Sequence, residues 1–161
     1  MKRRLFSLAG KVFFYLTWPG IWLVIHTSPP RTRVIIIQNN AVLLVKDWLG
    51  TGSWKLPGGG LKRHEPALQG AIREVAEETG IILEAEHLIY LGDFRSQSNG
   101  FSAHIVGYSA TLDSLPKVRV QAHEIAEYTW QPIDQLRSVP LSKTTIMMLK
   151  HFKKTSIFDK L

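Results

Sequence analysis

The sequence predicts an α/β fold in which a mixed β-sheet carries a helix on either side. Two short segments, Arg33–Gln38 (RVIIIQ) and Ala41–Lys46 (AVLLVK), have the β-branched and apolar composition of strands. Two longer segments, Pro66–Thr79 and Ser142–Lys154, repeat apolar residues at three- and four-residue spacing, which is typical of amphipathic helices. The 161 residues are enough for one domain with a core of its own.

Turn residues divide the predicted strands. Asn39 and Asn40 separate the first two, and asparagine tolerates the positive φ angles of a tight hairpin. A short strand at Ser53–Leu56 is expected to lead into the glycine-rich loop Pro57–Gly60, where backbone can approach a ligand closely. Further elements are expected as strands at Glu84–Phe94, Phe101–Leu112 and Glu127–Gln131, a turn at Ser96–Gly100 and one helical turn at Pro132–Leu136.

Both predicted helices carry terminal signals. Pro66 suits the first position of the first helix, because its missing N–H is not needed there, and Gly80 suits the left-handed residue after it. Ser142 is a candidate cap for the last helix. One face of the first helix is expected to pack on the core and the acidic face to stay exposed. The core-facing residues are Leu68, Ala71, Ile72, Val75 and Thr79.

Residues 1–30 form a separate hydrophobic segment, and residues 31–161 form the predicted domain. Within residues 5–25 only Lys11 is charged. The uncharged run is shorter than the roughly 20 residues that a spanning helix needs, and Trp18-Pro19-Gly20 should break it. Clustered aromatic residues beside cationic ones favour attachment to a membrane surface. Packing on the domain or on a second copy, as in a homodimer, and a true span stay open.

The net charge of +7 raises the question of a nucleic-acid partner. The positive charge is spread along the chain, and no recognition-helix or RNA-binding aromatic motif accompanies it. Nucleic acid is therefore not expected as a partner, except as a capped RNA end, whereas a basic surface would attract polyphosphate substrates. There are no cysteines, which excludes disulfides and thiolate metal sites. We expect a cytoplasmic location, with attachment to the inner face of the membrane left open.

The stretch Gly59–Ile81 (GGLKRHEPALQGAIREVAEETGI) concentrates the candidate chemistry. It holds four glutamates and two arginines. In a helix, Glu77 and Glu78 lie three and four residues after Glu74, so the three carboxylates share one face and repel each other. A cation should therefore lie among them, and oxygen ligands suit hard divalent ions such as Mg²⁺ or Mn²⁺.

This stretch resembles the signature of the Nudix hydrolases. The family pattern is glycine, five residues, glutamate, seven residues, and then Arg-Glu-apolar-x-Glu-Glu-x-Gly-apolar. Every fixed place is filled here, by Gly59, Glu65, Arg73, Glu74, Val75, Glu77, Glu78, Gly80 and Ile81. The resemblance implies the α/β/α sandwich of that family from about Arg31 onward, and hydrolysis of a diphosphate linkage with the help of a divalent metal.

The resemblance also implies roles for the residues of the motif. Glu74 and Glu78 are expected as metal ligands, with Glu77 close behind and the carbonyl of Gly58 as a further candidate. Glu74 is also the candidate base, because a carboxylate beside an activated water can accept its proton. Arg73 is expected to orient a neighbouring glutamate.

Candidate residues with weaker signals complete the predicted site. Glu65 could brace the loop or Arg73. The family often draws a further carboxylate from a distant loop, for which Glu124 is our choice and Glu127 the competitor. Trp48 and Trp54 flank the loop before the motif and are candidates for stacking on a base, although both equally suit a core.

Three functions are compatible with these residues. The first is a metal-dependent hydrolase that acts on a nucleoside diphosphate linked to another moiety. The second is an isomerase of a prenyl diphosphate with the same fold, which the absence of cysteine disfavours because that class uses one. The third is a membrane-docked nucleotide-binding or sensing module without turnover, which the intact motif disfavours. The sequence does not identify which nucleotide derivative is the substrate.

Overall fold

A mixed five-stranded sheet supports the other elements in the computed structural model, which describes residues 29–48, 52–98, 101–121 and 123–155. The strands are β1 (Arg31–Gln38), β2 (Ala41–Asp47), β3 (Ile89–Ser98), β4 (Phe101–Thr111) and β5 (Ile125–Pro132). Their order across the sheet is β3-β4-β1-β2-β5. β1 and β4 run parallel, and the other neighbouring strands run antiparallel, so the predicted mixed sheet is confirmed.

The hairpin between β1 and β2 turns at the predicted asparagines. Asn39 and Asn40 have φ angles of 45° and 60°, and Gln38 pairs with Ala41 across the turn. Positive φ at both central residues is what a two-residue hairpin with the twist of its strands requires, and asparagine adopts it at low cost. The hairpin therefore brings the two most apolar strands together at the centre of the sheet.

Two predicted boundaries of the edge strand β3 are wrong. Ala85–His87 forms a 3₁₀ turn, so β3 begins at Ile89 and not at Glu84. Residues 96–98 belong to β3 instead of a turn, because the ladder with β4 continues until Ser98 pairs with Phe101. Polar residues occupy this end of the strand, and pairing with the neighbouring strand overrides their turn propensity.

The helices are α1 (Ala67–Thr79) and α2 (Lys143–Thr155). Pro66 lies at the N-cap of α1 with φ −60° and ψ 137°, so the helix begins at Ala67, one residue after the predicted start. Gly80 ends the helix in the left-handed region with φ 71°, and its N–H donates to the Ala76 carbonyl oxygen at 2.9 Å. Ser142 precedes α2, and its hydroxyl accepts the Thr145 N–H at 3.2 Å, so the predicted cap is confirmed.

The sheet is buried on both faces, which explains why its central strands are almost wholly apolar. α1 covers one face, and a hydrophobic cluster forms there from Val34, Ile36, Leu43, Ala71, Val75, Ile81, Leu83, Val106, Tyr108 and Ala110. α2 and the 3₁₀ segment Ile133–Ser138 cover the other face. The cluster on that side comprises Ile35, Ile37, Val42, Leu44, Leu56, Phe94, Ile105, Ile133, Leu136 and Met148. Alternate residues of β1 thus serve opposite clusters.

Residues 53–56 connect the layers without forming a full strand. Trp54 makes an isolated bridge with Leu141, and Lys55 makes another with Val45. Leu56 is fully buried, and its N–H donates to the Thr145 hydroxyl at 3.2 Å. The expected strand is therefore reduced to two bridges, which hold Lys55 beside β2.

The predicted membrane-surface segment, residues 5–25, lies outside the described residues. Among the residues that are described, none of the helices has both the length and the apolarity to cross a bilayer.

Candidate active site

The loop before α1 is fastened to the first strand. The Thr32 N–H donates to the Gly59 carbonyl at 2.8 Å, and the Val34 N–H donates to the Pro57 carbonyl at 3.0 Å. Gly58 has φ +128°, and a Cβ there would lie 2.5 Å from the Thr32 carbonyl oxygen. Only glycine fits at this position, so the glycine loop is a requirement of close backbone contact with β1.

The next glycine makes room for a carboxylate. A Cβ added at Gly59 would collide with the Glu74 carboxylate, which lies directly against the loop backbone. The Glu74 side chain is 16% exposed and is therefore held in a narrow space between α1 and the loop. The loop thus brings backbone and one of the predicted metal ligands together.

Arg73 joins the carboxylates of the motif. Its Nε and Nη2 donate to the two oxygens of Glu65 at 2.7 and 2.8 Å. Its Nη1 donates to Glu74 at 2.8 Å and to Glu77 at 3.0 Å, and Nη2 also donates to the Gly60 carbonyl at 3.0 Å. A guanidinium has five N–H groups, and all five are engaged here. Arg73 thus places a positive charge among glutamates whose clustering had suggested a divalent ion, and it fixes the positions of their side chains.

The bidentate contact changes the acidity of both partners. Hydrogen bonds from the Arg73 guanidinium, and then from the Lys62 N–H, lower the pKa of Glu65 from 4.5 to about 2. The hydrogen bonds that Arg73 donates to Glu65 raise the pKa of Arg73, so the pair is charged across the physiological range. Glu65 also accepts the Lys62 N–H at 2.8 Å and so connects Arg73 to the loop.

Glu78 does not belong to an exposed acidic face, and that expectation is wrong. Glu78 is only 2% exposed, and its Oε2 accepts the Gly58 N–H at 2.8 Å. Burial raises the pKa of Glu78, and the charges of Lys55 and Arg33 oppose that rise. Glu78 follows Val75 by three residues, so it lies on the helical stripe that packs inward.

Three charged residues beyond the motif surround Glu78. Lys55 Nζ lies 2.6 Å from Asp47 Oδ1 and 3.5 Å from Glu78 Oε1. Arg33 contributes a positive charge from β1, and burial lowers its pKa while Glu78 opposes the shift. Sequence analysis missed all three, because each lies in a different segment. The one available signal was the presence of a charge in or beside a strongly apolar run.

The donor chemistry of this cluster fits a hard divalent cation. The ion pairs join five carboxylates to Lys55 and Arg73, and Arg33 adds a third positive charge, which leaves two negative charges. Among the described residues, no group of three or more acidic or histidine side chains is arranged as a ready metal site. The carboxylates point toward Arg73 and Lys55 instead. Glu74, Glu77 and Glu78 are the residues that would supply oxygen ligands.

The end of α1 is tied to the segment that precedes β5. The Gln121 N–H donates to the Glu78 carbonyl at 3.1 Å, and the Arg119 N–H donates to the Thr79 carbonyl at 2.8 Å. Gln121 in turn accepts the N–H groups of Glu124 and Ile125 at 3.0 and 2.9 Å. These bonds satisfy carbonyls that a helix end leaves without partners.

The structure places the other candidates away from this network of direct contacts. The Glu124 side chain is exposed, and its carbonyl accepts the Trp48 N–H at 3.2 Å. Trp48 is 64% exposed, whereas Trp54 is half-buried and packs with the cluster beneath α2. Lys46 Nζ lies 5.3 Å from the centre of the Trp54 ring. Glu65, Arg73, Glu74 and Glu77 are joined directly, and Gly58 and Glu78 by a separate hydrogen bond.

The sequence of this domain matches a described family. The NUDIX domain model matches residues 27–152, most of the chain. The chain belongs to the Nudix hydrolase family. The residues that the Nudix motif specifies are therefore those that Arg73 and the glycine loop assemble here. Nudix hydrolases generally use divalent metals, in agreement with the oxygen donors and the negative charge of the site.

Several Nudix proteins align with parts of the chain. Nudix hydrolase 8 from Arabidopsis thaliana is 32% identical over 113 residues, which are 66% of this chain and 30% of that protein. A MutT-like protein from Streptomyces ambofaciens is 36% identical over 81 residues, 48% of this chain and 51% of that protein. An RNA pyrophosphohydrolase from Psychromonas ingrahamii is 39% identical over 66 residues, 41% of this chain and 35% of that protein. The chain thus spans about half or less of these relatives.

Solved Nudix structures share the fold. A MutT NUDIX hydrolase from Burkholderia pseudomallei superposes with a TM-score of 0.69 and 27% identity, covering 76% of this chain and 96% of that one. The NUDIX domain of NrtR from Shewanella oneidensis, solved with ADP ribose, superposes with a TM-score of 0.70 and 19% identity, covering 80% and 88%. The second likeness concerns the fold alone.

Replacement of Arg73 by alanine is expected to lower the free energy of unfolding by about 2–4 kcal/mol, because three carboxylates lose their shared cation. Urea denaturation at pH 7 measures the loss. Glu127→Ala is the control, since the exposed Glu127 pairs with Lys46 at 3.2 Å and an exposed pair contributes about 1 kcal/mol or less. Equal losses in the two variants would contradict the central role of Arg73.

The lowered pKa of Glu65 predicts an acid-sensitive contribution to stability. A carboxyl whose pKa falls from 4.5 to about 2 on folding stabilises the protein above pH 4.5, and this contribution is lost as the pH falls toward 2. After allowance for solvent screening we expect a loss of about 1–2 kcal/mol. Denaturation of the wild type and Glu65→Gln at pH 5 and pH 3 measures it. The variant should lose less stability than the wild type over this interval, and equal losses would refute the assignment.

Proposed function

We propose that the chain is a metal-dependent pyrophosphohydrolase that cleaves the diphosphate linkage of a nucleoside diphosphate attached to another moiety. The observation that carries this proposal is the assembled motif: Arg73 binds three of its glutamates, and the fourth, Glu78, lies at the glycine loop with two negative charges left over in the cluster. A binding site for a nucleotide anion would not by itself need this excess of carboxylates. Relatives described as RNA pyrophosphohydrolases are consistent with this reaction class.

The proposed chemistry divides between the metal and the protein. Bound Mg²⁺ or Mn²⁺ would neutralise phosphate oxygens and lower the pKa of the attacking water. Glu74, Glu77 and Glu78 would hold the ion, with the Gly58 carbonyl as a further donor. Each is anchored by this chain: Arg73 holds Glu74 and Glu77, and the Gly58 N–H holds Glu78.

Proton transfer is assigned to Glu74. Arg73 donates to its Oε1 at 2.8 Å, which leaves Oε2, on the side of the glycine loop, to accept a proton from the attacking water. Glu65 is not proposed as a base, because both of its oxygens accept hydrogen bonds from Arg73. Glu65 therefore positions Arg73, and Arg73 positions the base.

The charge of the chain and its similarity to other Nudix proteins support a nucleotide as the substrate. The net charge of +7 favours an anionic substrate such as a nucleotide. NrtR, a neighbour in fold, was solved with ADP ribose, which contains a diphosphate linkage. A panel for this chain should therefore include ADP ribose, dinucleoside polyphosphates, nucleoside triphosphates and RNA with a capped or triphosphorylated 5′ end.

We expect cleavage of at least one panel member in the presence of Mg²⁺ or Mn²⁺ and none in EDTA. Glu78→Gln should lower kcat at least about 100-fold, because loss of a metal ligand removes several kcal/mol of charge stabilisation and each 1.36 kcal/mol is tenfold in rate. Glutamine can still accept the Gly58 N–H, so the fold should persist, as circular dichroism would show. Glu86→Gln, at an exposed glutamate of the 3₁₀ turn, is the control. Binding without cleavage across the panel would favour the non-catalytic module.

We further propose that residues 5–25 attach the chain to a membrane surface, on the basis of their aromatic and cationic composition. The full chain should co-sediment with vesicles that contain anionic lipid, and a chain without residues 1–28 should remain in the supernatant. Thermal denaturation of both chains would establish that each is folded. Equal recovery in the pellet would remove the proposal.

A further inference from the structure

Lys55 occupies a fixed position between two acids. Its backbone N–H and carbonyl both bond to Val45 at 2.9 Å, so its Cα cannot shift without breaking the bridge to β2. Its ammonium lies 2.6 Å from Asp47 and 3.5 Å from Glu78, and its side chain is 14% exposed. Lys55 therefore contacts an acid of the Nudix motif and an acid outside it with a single charge.

The position of Asp47 depends on an irregularity in the sheet. Lys46 pairs with Glu127, but Asp47 pairs with Ile125, so the ladder between β2 and β5 skips one residue at this point. Such irregularities re-aim the side chain beside them. Here the end of β2 brings Asp47 to Lys55, and Asp47 is two-thirds buried.

We propose that Lys55 competes with a divalent cation for Glu78 and so sets the metal affinity of the Nudix site, with Asp47 as the alternative partner that weakens this competition. The inference rests on the proposed function, because it takes Glu78 to be a metal ligand. Lys55 is a positioning residue in this scheme and does not contact the substrate.

The competition follows from charge. An ammonium and a divalent cation on one buried carboxylate repel each other, and at a few ångströms in a partly buried site this repulsion is a matter of kcal/mol. Asp47 is closer to Lys55 than Glu78 is, so Lys55 can release Glu78 and keep a counter-ion. Removing Lys55 should strengthen metal binding, and removing the charge of Asp47 should weaken it.

Binding of Mn²⁺ alone to the full chain, followed by electron paramagnetic resonance of the free ion, measures this without substrate. We expect Lys55→Met to lower the Kd on the order of tenfold and Asp47→Asn to raise it by a similar factor. The double variant should match Lys55→Met, because Asp47 acts through Lys55. Lys55→Arg keeps the charge and should remain near the wild type.

Lys150→Met is the matched control, since Lys150 is an exposed lysine of α2, the helix on the opposite face of the sheet from α1, and should leave the Kd unchanged. A folded Lys55→Met with an unchanged or higher Kd would overturn the proposal. Should Lys55→Met fail to fold, an unchanged or lower Kd in Asp47→Asn would overturn it. If the wild type neither binds Mn²⁺ nor cleaves any nucleotide, the proposed function fails as well. If it does both while the variants bind alike, only the role of Lys55 fails.

Discussion

The site depends on the contact between one guanidinium and five acceptors. Arg73 donates all five of its N–H groups to three carboxylates and the Gly60 carbonyl. It thereby joins Glu74 and Glu77 of α1 to the loop before the helix. Without it, Glu65, Glu74 and Glu77 would repel each other across a few ångströms. The fork geometry of arginine suits this role, whereas the single ammonium of lysine could not reach all the acceptors at once. The residue that neutralises the acids also fixes where each one points.

A second constraint comes from backbone packing. The glycine loop lies so close to β1 that Gly58 cannot carry a side chain, and the same closeness lets its N–H reach the buried Glu78. The glycines therefore have two roles. They allow the loop to pack against the sheet, and Gly58 donates its N–H to Glu78, a carboxylate that is buried from water. Because an unpaired charge is costly in a buried position, Glu78 depends on this amide donor and on the nearby cations Lys55 and Arg33.

The sequence was sufficient for the fold class and for the residues of the motif, because these signals are local. Helical spacing, a paired asparagine turn and a fixed pattern of acids each lie within one continuous segment. Lys55, Asp47 and Arg33 could not be found in that way, since only the folded sheet brings three segments together around Glu78. The burial of Glu78 could have been predicted from the sequence, because Glu78 lies one helical turn after Val75 on the face that packs inward. Strand ends were misplaced where ladder pairing outweighed local propensity, as at residues 96–98.

The segment between β4 and β5 contacts the end of α1, because the N–H groups of Arg119 and Gln121 donate hydrogen bonds to it. The segment therefore influences the position of residues outside itself. Most of this segment is at the periphery, where residues can vary with little penalty to the fold. Yet the carbonyl of Glu78 accepts a hydrogen bond from Gln121 in this segment. The same segment continues to Glu124 and the edge strand β5. A substitution in this surface segment can therefore change the environment of the buried Glu78 without altering any residue of the Nudix motif.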